Sequence, residues 1–399
     1  MRIAARFSKA WYNNWSPNTN MAQKLKTDWT LFGTTIGMAA FGVVILYSAS
    51  SVIAELKFGS SWHFVLRQGL WMVPSLLLMM FLKRTHYQKL QNSTVAFAAI
   101  GLVLMLLGLV FFVDSAHHRW LRMGPVGLQP SELAKPALVI FLAYFVAWRA
   151  QAINTRYTLY PAALAVGLVI LAVVVADLGT AVVLGVTATV VFFVAGLRWR
   201  FCAIAGACAL VGLVVFIALK PYRLARIAGY LDPGSKIVSR FDPGGHIEQY
   251  MHQSLTSRDT SYQLEQSKIA VGTGGVVGAG LMQGKQKLLY LPEAHTDFIY
   301  AVASEELGLV GSVGLLLAFV LILWRGLRAA QRMPDDFGRY LALGFTTVVV
   351  VQGLMNISVV LGMMPTKGIP LPMISSGGSS LLSTLASLGI LMNVSEHAG

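Results

Sequence analysis

VAFAAIGLVLMLLGLVFFV, residues 95 to 113, contains no charged side chain. A helical run close to twenty residues long covers about 30 Å, the thickness of bilayer hydrocarbon. Comparable runs recur at 31–49, 65–82, 131–149, 158–176, 178–197, 201–219, 298–324, 339–363 and 376–394. Of the 399 residues, 56% are hydrophobic and only 12% charged, against about 25% charged in a soluble domain. The sequence predicts an all-α integral membrane protein with about ten transmembrane helices. A long extracytoplasmic loop, 220–297, separates spans seven and eight. Residues 1–27 are polar and basic, with no apolar core or small-residue cleavage site. They read as a cytoplasmic tail rather than a secretory signal, ahead of a ten-span membrane domain at 28–399.

The net charge of +14 is distributed as a topology signal. Lys and Arg gather in the tail, at Lys83, Arg84 and Lys89, from Arg149 to Arg200, and from Arg325 to Arg339. The alternate short loops hold only Lys57, Arg119, Arg122 and Lys367. The positive-inside bias then places both termini in the cytoplasm and the loops 50–64, 114–130, 220–297 and 364–375 outside. No basic stripe is interleaved with aromatics, so nucleic acid is not an expected partner. Cys202 and Cys208 share one apolar run and read as packing residues.

The 220–297 loop carries two Asp-Pro-Gly turns, at 232–234 and 242–244, then "SYQLEQSKIA" (261–270), which reads as a short amphipathic helix with Glu265 and Lys268 on one face. The glycine run that follows, "VGTGGVVGAGLMQGK" (271–285), fits no nucleotide-binding pattern: Val277 and Ala279 stand where such motifs need glycine. It is expected to be an irregular, closely packed loop dipping toward the membrane, which backbone does only under protein or water cover.

Ionisable residues concentrate in the outward segments. "LPEAHTDFIYAVASEELG" (291–308) brings His295, Asp297, Glu305 and Glu306 to the start of span eight. Asp297 has two readings: a helix cap, since Asp satisfies open N–H groups and matches the dipole, or a working carboxylate at the mouth of the bundle. Measured from 297, Glu305 lies about 80° round the helix and Glu306 about 180°, so one is expected to line the site and the other to cap or pair elsewhere. In "HHRWLRMGPVGLQPSELAKP" (117–136), Glu132 and Lys135 lie three apart, as a substrate-side pair or a buried ion pair. His117 and His118 have no third ligand at metal-binding spacing. Asp177 reads as the cap of a tight turn, with Gly179 permitting close packing. Lys367 is the only charge in "MMPTKGIPLPMISSGGSS" (363–380).

"LPEAHTDFIYAVASEELGLVG", "GMMPTKGIPLPMISSGGSS", "HRWLRMGPVGLQPSELAK" and "ADLGTAVVL" resemble the hallmark motifs of the SEDS family (shape, elongation, division and sporulation). The likeness runs from about residue 28 to 394, and is greater to division-type than to elongation-type members. Two features depart from the family pattern. Ser375-Ser376-Gly377-Gly378-Ser379 lacks the aromatic usual within it, and a stretch at 234–260 is additional. That stretch is polar and turn-rich, and is expected to be mobile and dispensable for folding.

The resemblance implies a peptidoglycan glycosyltransferase of the inner membrane that polymerises lipid II at its outer face, for septal wall synthesis in division. It places the essential aspartate on Asp297, as general base of an inverting displacement. The implied substrate-binding candidates are Lys367, Lys135, Glu132, Arg119, His295 and Glu305. A divalent cation, Mg or Mn, beside Asp297 is a candidate cofactor. The implied partners are lipid II, a class B penicillin-binding protein transpeptidase and other division-complex proteins. The alternatives are an elongation-type polymerase of the same family, a lipid II flippase, and a scaffold that only recruits a synthase.

Overall fold

The computed structural model describes residues 27–114, 119–123, 126–218, 256–365 and 368–398. Residues 1–26 of the basic tail, His117, His118, Lys367 and residues 234–255 of the additional stretch lie outside the described residues, while 256–260 open a helix. Among those described, nine helices are long and apolar enough to cross a membrane. They are α1 (Trp29–Phe58), α2 (His63–Arg84), α3 (Ser93–Val113), α4 (Pro130–Trp148), α5 (Arg156–Ala176), α7 (Trp199–Ala218), α9 (Ile299–Arg332), α10 (Asp336–Val360) and α11 (Gly378–His397). The shorter apolar helix α6 (Leu178–Val194) lies where the sequence reading places its sixth span. The amphipathic segment forms α8 (Thr256–Thr273).

Local chemistry sets the ends. Asp28 caps α1, its Oδ1 accepting from Leu31 N at 3.0 Å, and Gly59 closes it in the left-handed region at φ 68°. Asn92 caps α3 and Asp335 caps α10, through Thr94 N and Gly338 N. Each accepts an N–H that the helix cannot satisfy internally. Helices α4, α10 and α11 are mostly buried, while α2, α3 and α5 turn Leu70, Leu77, Phe112, Leu164 and Leu171 outward. In water such surface is costly; against lipid tails it is the solvent-matched face.

Two features depart from the sequence reading. The loop before α4 contains a small antiparallel hairpin, β1 (Leu121–Met123) with β2 (Val126–Leu128). Its strands are too short for alternation to reveal them. The eighth span is also not one continuous helix. Gly308 breaks α9 at φ 63°, ψ −158°, a conformation that L side chains rarely adopt. The break strands backbone groups, and the glycine run supplies their partners. Ala279 N and Gly280 N donate to the carbonyls of Glu305 and Glu306, and Leu309 N and Val310 N donate to those of Gly275 and Val276. The expected close packing of that loop is therefore literal: a Cβ on Gly274 or Gly278 would overlap the Ser304 or Glu306 carbonyl.

Candidate active site

The helix that follows Asp297 begins at Ile299, and its N-cap residue is Phe298, not Asp297. Asp297 thus stands one residue before the assigned cap position. What surrounds Asp297 is a set of hydrogen bonds that fix its main chain. The His295 carbonyl accepts from Ser376 N at 3.0 Å, and the Thr296 carbonyl from Ser375 Oγ at 2.5 Å. The Asp297 carbonyl accepts from Asn356 Nδ2 at 2.7 Å. Three successive carbonyls are thus each held by a donor from the 368–377 loop or from α10. Gln68 of α2 fastens the same loop through the Ser375 carbonyl and Gly377 N.

The Asp297 side chain lies against this loop. A Cβ built on Gly368 would overlap its Oδ2, so glycine there lets the loop backbone close on the carboxylate.

His295 packs on Phe64 with ring centroids 4.5 Å apart. Burial holds its pKa below the usual value; Glu293 partly opposes this and Lys57 adds to it. The imidazole is therefore neutral at neutral pH, suited to hydrogen bonding rather than to countering phosphate charge.

Glu132 and Lys135 pair at 2.6 Å, each 1% exposed. Lys135 Nζ also donates to Gln352 Oε1 at 2.6 Å, and Gln352 Nε2 donates to the Pro370 carbonyl at 2.9 Å. The pair thus reaches the outer loop through an amide. Arg119 lies 3.8 Å from Asp177 Oδ2. Asp177 caps α6 through Gly179 N and Thr180 N, and Gly179 is packed so closely on Ile369 that a Cβ would collide with it. Lys135 is thus linked to Pro370 through Gln352, and the helix that Asp177 caps packs on the neighbouring Ile369.

Glu305 and Glu306 are engaged by the loop that precedes them. Glu305 accepts from Lys285 N at 2.7 Å and from Gln286 N. Glu306 pairs with Lys287 at 2.6 Å and accepts from Ser48 Oγ. Their carboxylates thus meet neighbouring residues of one loop, Glu305 at 285 and 286 and Glu306 at 287, with Gly284 against both.

The sequence reading missed Gln352, Asn356, Ser375 and Gln68. Gln352 and Asn356 did carry a signal: two amides four apart inside an apolar run occupy one face of the span, and polar groups within a span are rarely idle.

The Glu132–Lys135 pair makes a first prediction. Removing one partner leaves a buried charge uncompensated and loosens the Pro370 anchor. Glu132→Ala and Lys135→Ala should each lower turnover by about tenfold or more, a barrier change of about 1.4 kcal/mol. The double variant should lose much less than the product of the two. Strict additivity in a turnover assay of the purified variants would show that they do not act as a unit.

Among the described residues, nine membrane-length apolar helices and a shorter one carry an aspartate whose main chain is held by Ser375, Ser376 and Asn356, the plan of a multi-pass membrane protein with a polar site. Its family is settled by comparison: residues 28–399 match the FtsW/RodA/SpoVE family of cell cycle proteins, and the chain belongs to that family. It is 37% identical to a probable peptidoglycan glycosyltransferase FtsW of Geobacter metallireducens, over 95% of this chain and 97% of that one. It is 36% identical to the stage V sporulation protein E of Bacillus subtilis, over 94% and 99%. Among solved structures it resembles a chain of a peptidoglycan synthase complex that couples polymerization and crosslinking, with TM-score 0.71, 31% identity and coverage of 94% and 99%. It also resembles the Thermus thermophilus rod shape determining protein RodA, with TM-score 0.65, 28% identity and coverage of 93% and 97%.

Proposed function

We propose that this chain is a division-type peptidoglycan glycosyltransferase that polymerises lipid II at the outer face of the inner membrane. One observation carries the reading: Asp297 is held by its own and its neighbours' carbonyls, with its carboxylate closed against the outer loop. In the reaction the 4-hydroxyl of an acceptor sugar attacks the anomeric carbon of a donor. The new C–O bond forms as the bond to the undecaprenyl pyrophosphate breaks, and that electron pair leaves with the phosphate. The hydroxyl proton goes to Asp297, a general-base role worth about 100–10,000-fold. One displacement without an enzyme nucleophile inverts the anomeric centre. Pyrophosphate leaves without a general acid, but its charge needs cations. Arg119 and Lys367 are the candidates for direct contact. Lys135, buried against Glu132 and Gln352, acts through the loop.

A divalent cation beside Asp297 is part of the same proposal. Among the described residues no three His, Cys, Asp or Glu side chains gather to hold one. Here the ion would have one carboxylate, completed by substrate phosphates and water, a donor set that suits Mg.

The relation to a synthase complex that couples polymerization and crosslinking supports a class B penicillin-binding protein as partner, and the FtsW relatives support a place at the septum. The test is the purified chain in vesicles supplied with lipid II. Glycan polymer is expected. Lipid II moved across the bilayer but not joined would establish a flippase instead. Neither activity without the partner, and polymer only from the partner's own domain, would establish a scaffold.

A further inference from the structure

The general-base reading leaves open what holds Asp297 at its working position, and the structure assigns this to one side chain: we propose that Asn356 is a positioning residue for Asp297. The inference rests on that reading and names a further residue within it.

An Asn amide has two N–H donors, and Asn356 places both on backbone carbonyls that matter to the site. One goes to Asp297 O and the other to Ile369 O, each at 2.7 Å. The first fixes the residue that bears the acid. The second fixes the loop whose Gly368 closes on that acid's carboxylate. A single planar group therefore sets the spacing between the carboxylate and the loop that confronts it.

The surroundings make this setting stiff. Asn356 is 1% exposed and lies in the last two turns of α10, whose end is closed by Leu361 N donating to Ile357 O. One turn earlier on the same face, Gln352 holds the next carbonyl, Pro370 O, and is itself held by Lys135. Two amides at i and i+4 thus fasten two consecutive carbonyls of the outer loop to α10, but only Asn356 also reaches Asp297. The Asn356 Oδ1 is buried and meets no donor among the described residues. Its amide therefore serves here as a two-pronged donor, a role that Asp at the same position cannot take over.

Shifting a reacting group by about 1 Å can cost on the order of 100-fold in rate without altering substrate affinity. Asn356→Ala and the near-isosteric Asn356→Asp are therefore expected to lower kcat for lipid II polymerisation by about 10- to 100-fold. The KM for lipid II should stay within about threefold; the two carbonyls left unpaired, and in Asn356→Asp the buried carboxylate, should lower the melting temperature, so kcat is read per folded molecule. The decisive readout is the same substitution in an Asp297→Asn background, followed by long incubation. A residue that acts through Asp297 adds little once the base is gone.

Three results overturn the inference: a folded variant of either kind that retains kcat within threefold of the parent; a loss that repeats in full in the Asp297→Asn background; and Asn356 variants that fail to fold, which would show that the amide holds the bundle rather than the aspartate. If Asp297→Asn itself turns over normally, the general-base reading fails first, an outcome distinct from all of these.

Discussion

Asp297→Asn is expected to reduce polymerisation by at least about 100-fold while leaving the protein folded and able to bind lipid II. Asn is close in size to Asp and keeps its hydrogen-bonding shape. It also caps helices about as well, and the cap position of α9 belongs to Phe298 in any case. The main-chain bonds from Asn356, Ser375 and Ser376 go to carbonyls, which the substitution does not touch. What Asn lacks is a basic oxygen to take the acceptor proton. The loss should therefore fall on kcat, at the scale of a removed general base, with little change in melting temperature. The check is polymer formed by the purified variant beside its thermal melt and lipid II affinity. A folded, binding-competent variant that polymerises at the parent rate would remove Asp297 from the chemistry and reopen the flippase and scaffold readings.

The spans were legible because a bilayer imposes a crude rule on composition: a long run without charge is visible whatever its neighbours. The break at Gly308 was not. Glycine is common within spans, and only the opposing backbone of residues 275–280 shows that this one leaves the helix. The site was half legible for the same reason. Glu132 and Lys135 pair at a spacing that one helix turn dictates, and Asp177 caps its own helix, so local rules suffice. Asn356 needs the position of two remote carbonyls, at 297 and 369, before its role can be seen. The angle of 100° per residue placed Glu305 and Glu306 on different faces, but it could not say that Ser48 and Lys287 meet one of them.

Breaking that last contact is expected to cost stability rather than chemistry. Glu306 is fully buried and Lys287 nearly so, and the ammonium lies 2.6 Å from the carboxylate. Ser48 Oγ donates to Glu306 and accepts from Lys287 at 2.8 Å, which ties α1 into the pair. The triad joins three parts of the chain around the point where α9 is broken. Lys287→Met leaves a buried carboxylate without its counter-charge, a change that typically destabilises by about 3–5 kcal/mol. Glu306→Gln strands the ammonium to similar effect. Lys287→Met with Glu306→Gln removes both charges and should cost much less than the sum. Chemical denaturation of the purified proteins measures this, and a Lys287→Met variant as stable as the parent would sink the idea. The same proteins separate the acids of one motif by what each loses. Asp297→Asn should lose rate with stability intact. The Glu306 and Lys287 variants should lose stability, while each molecule that remains folded turns over at close to the parent rate. A Glu306→Gln protein of parent stability but greatly reduced kcat would instead place that carboxylate among the groups that act on substrate.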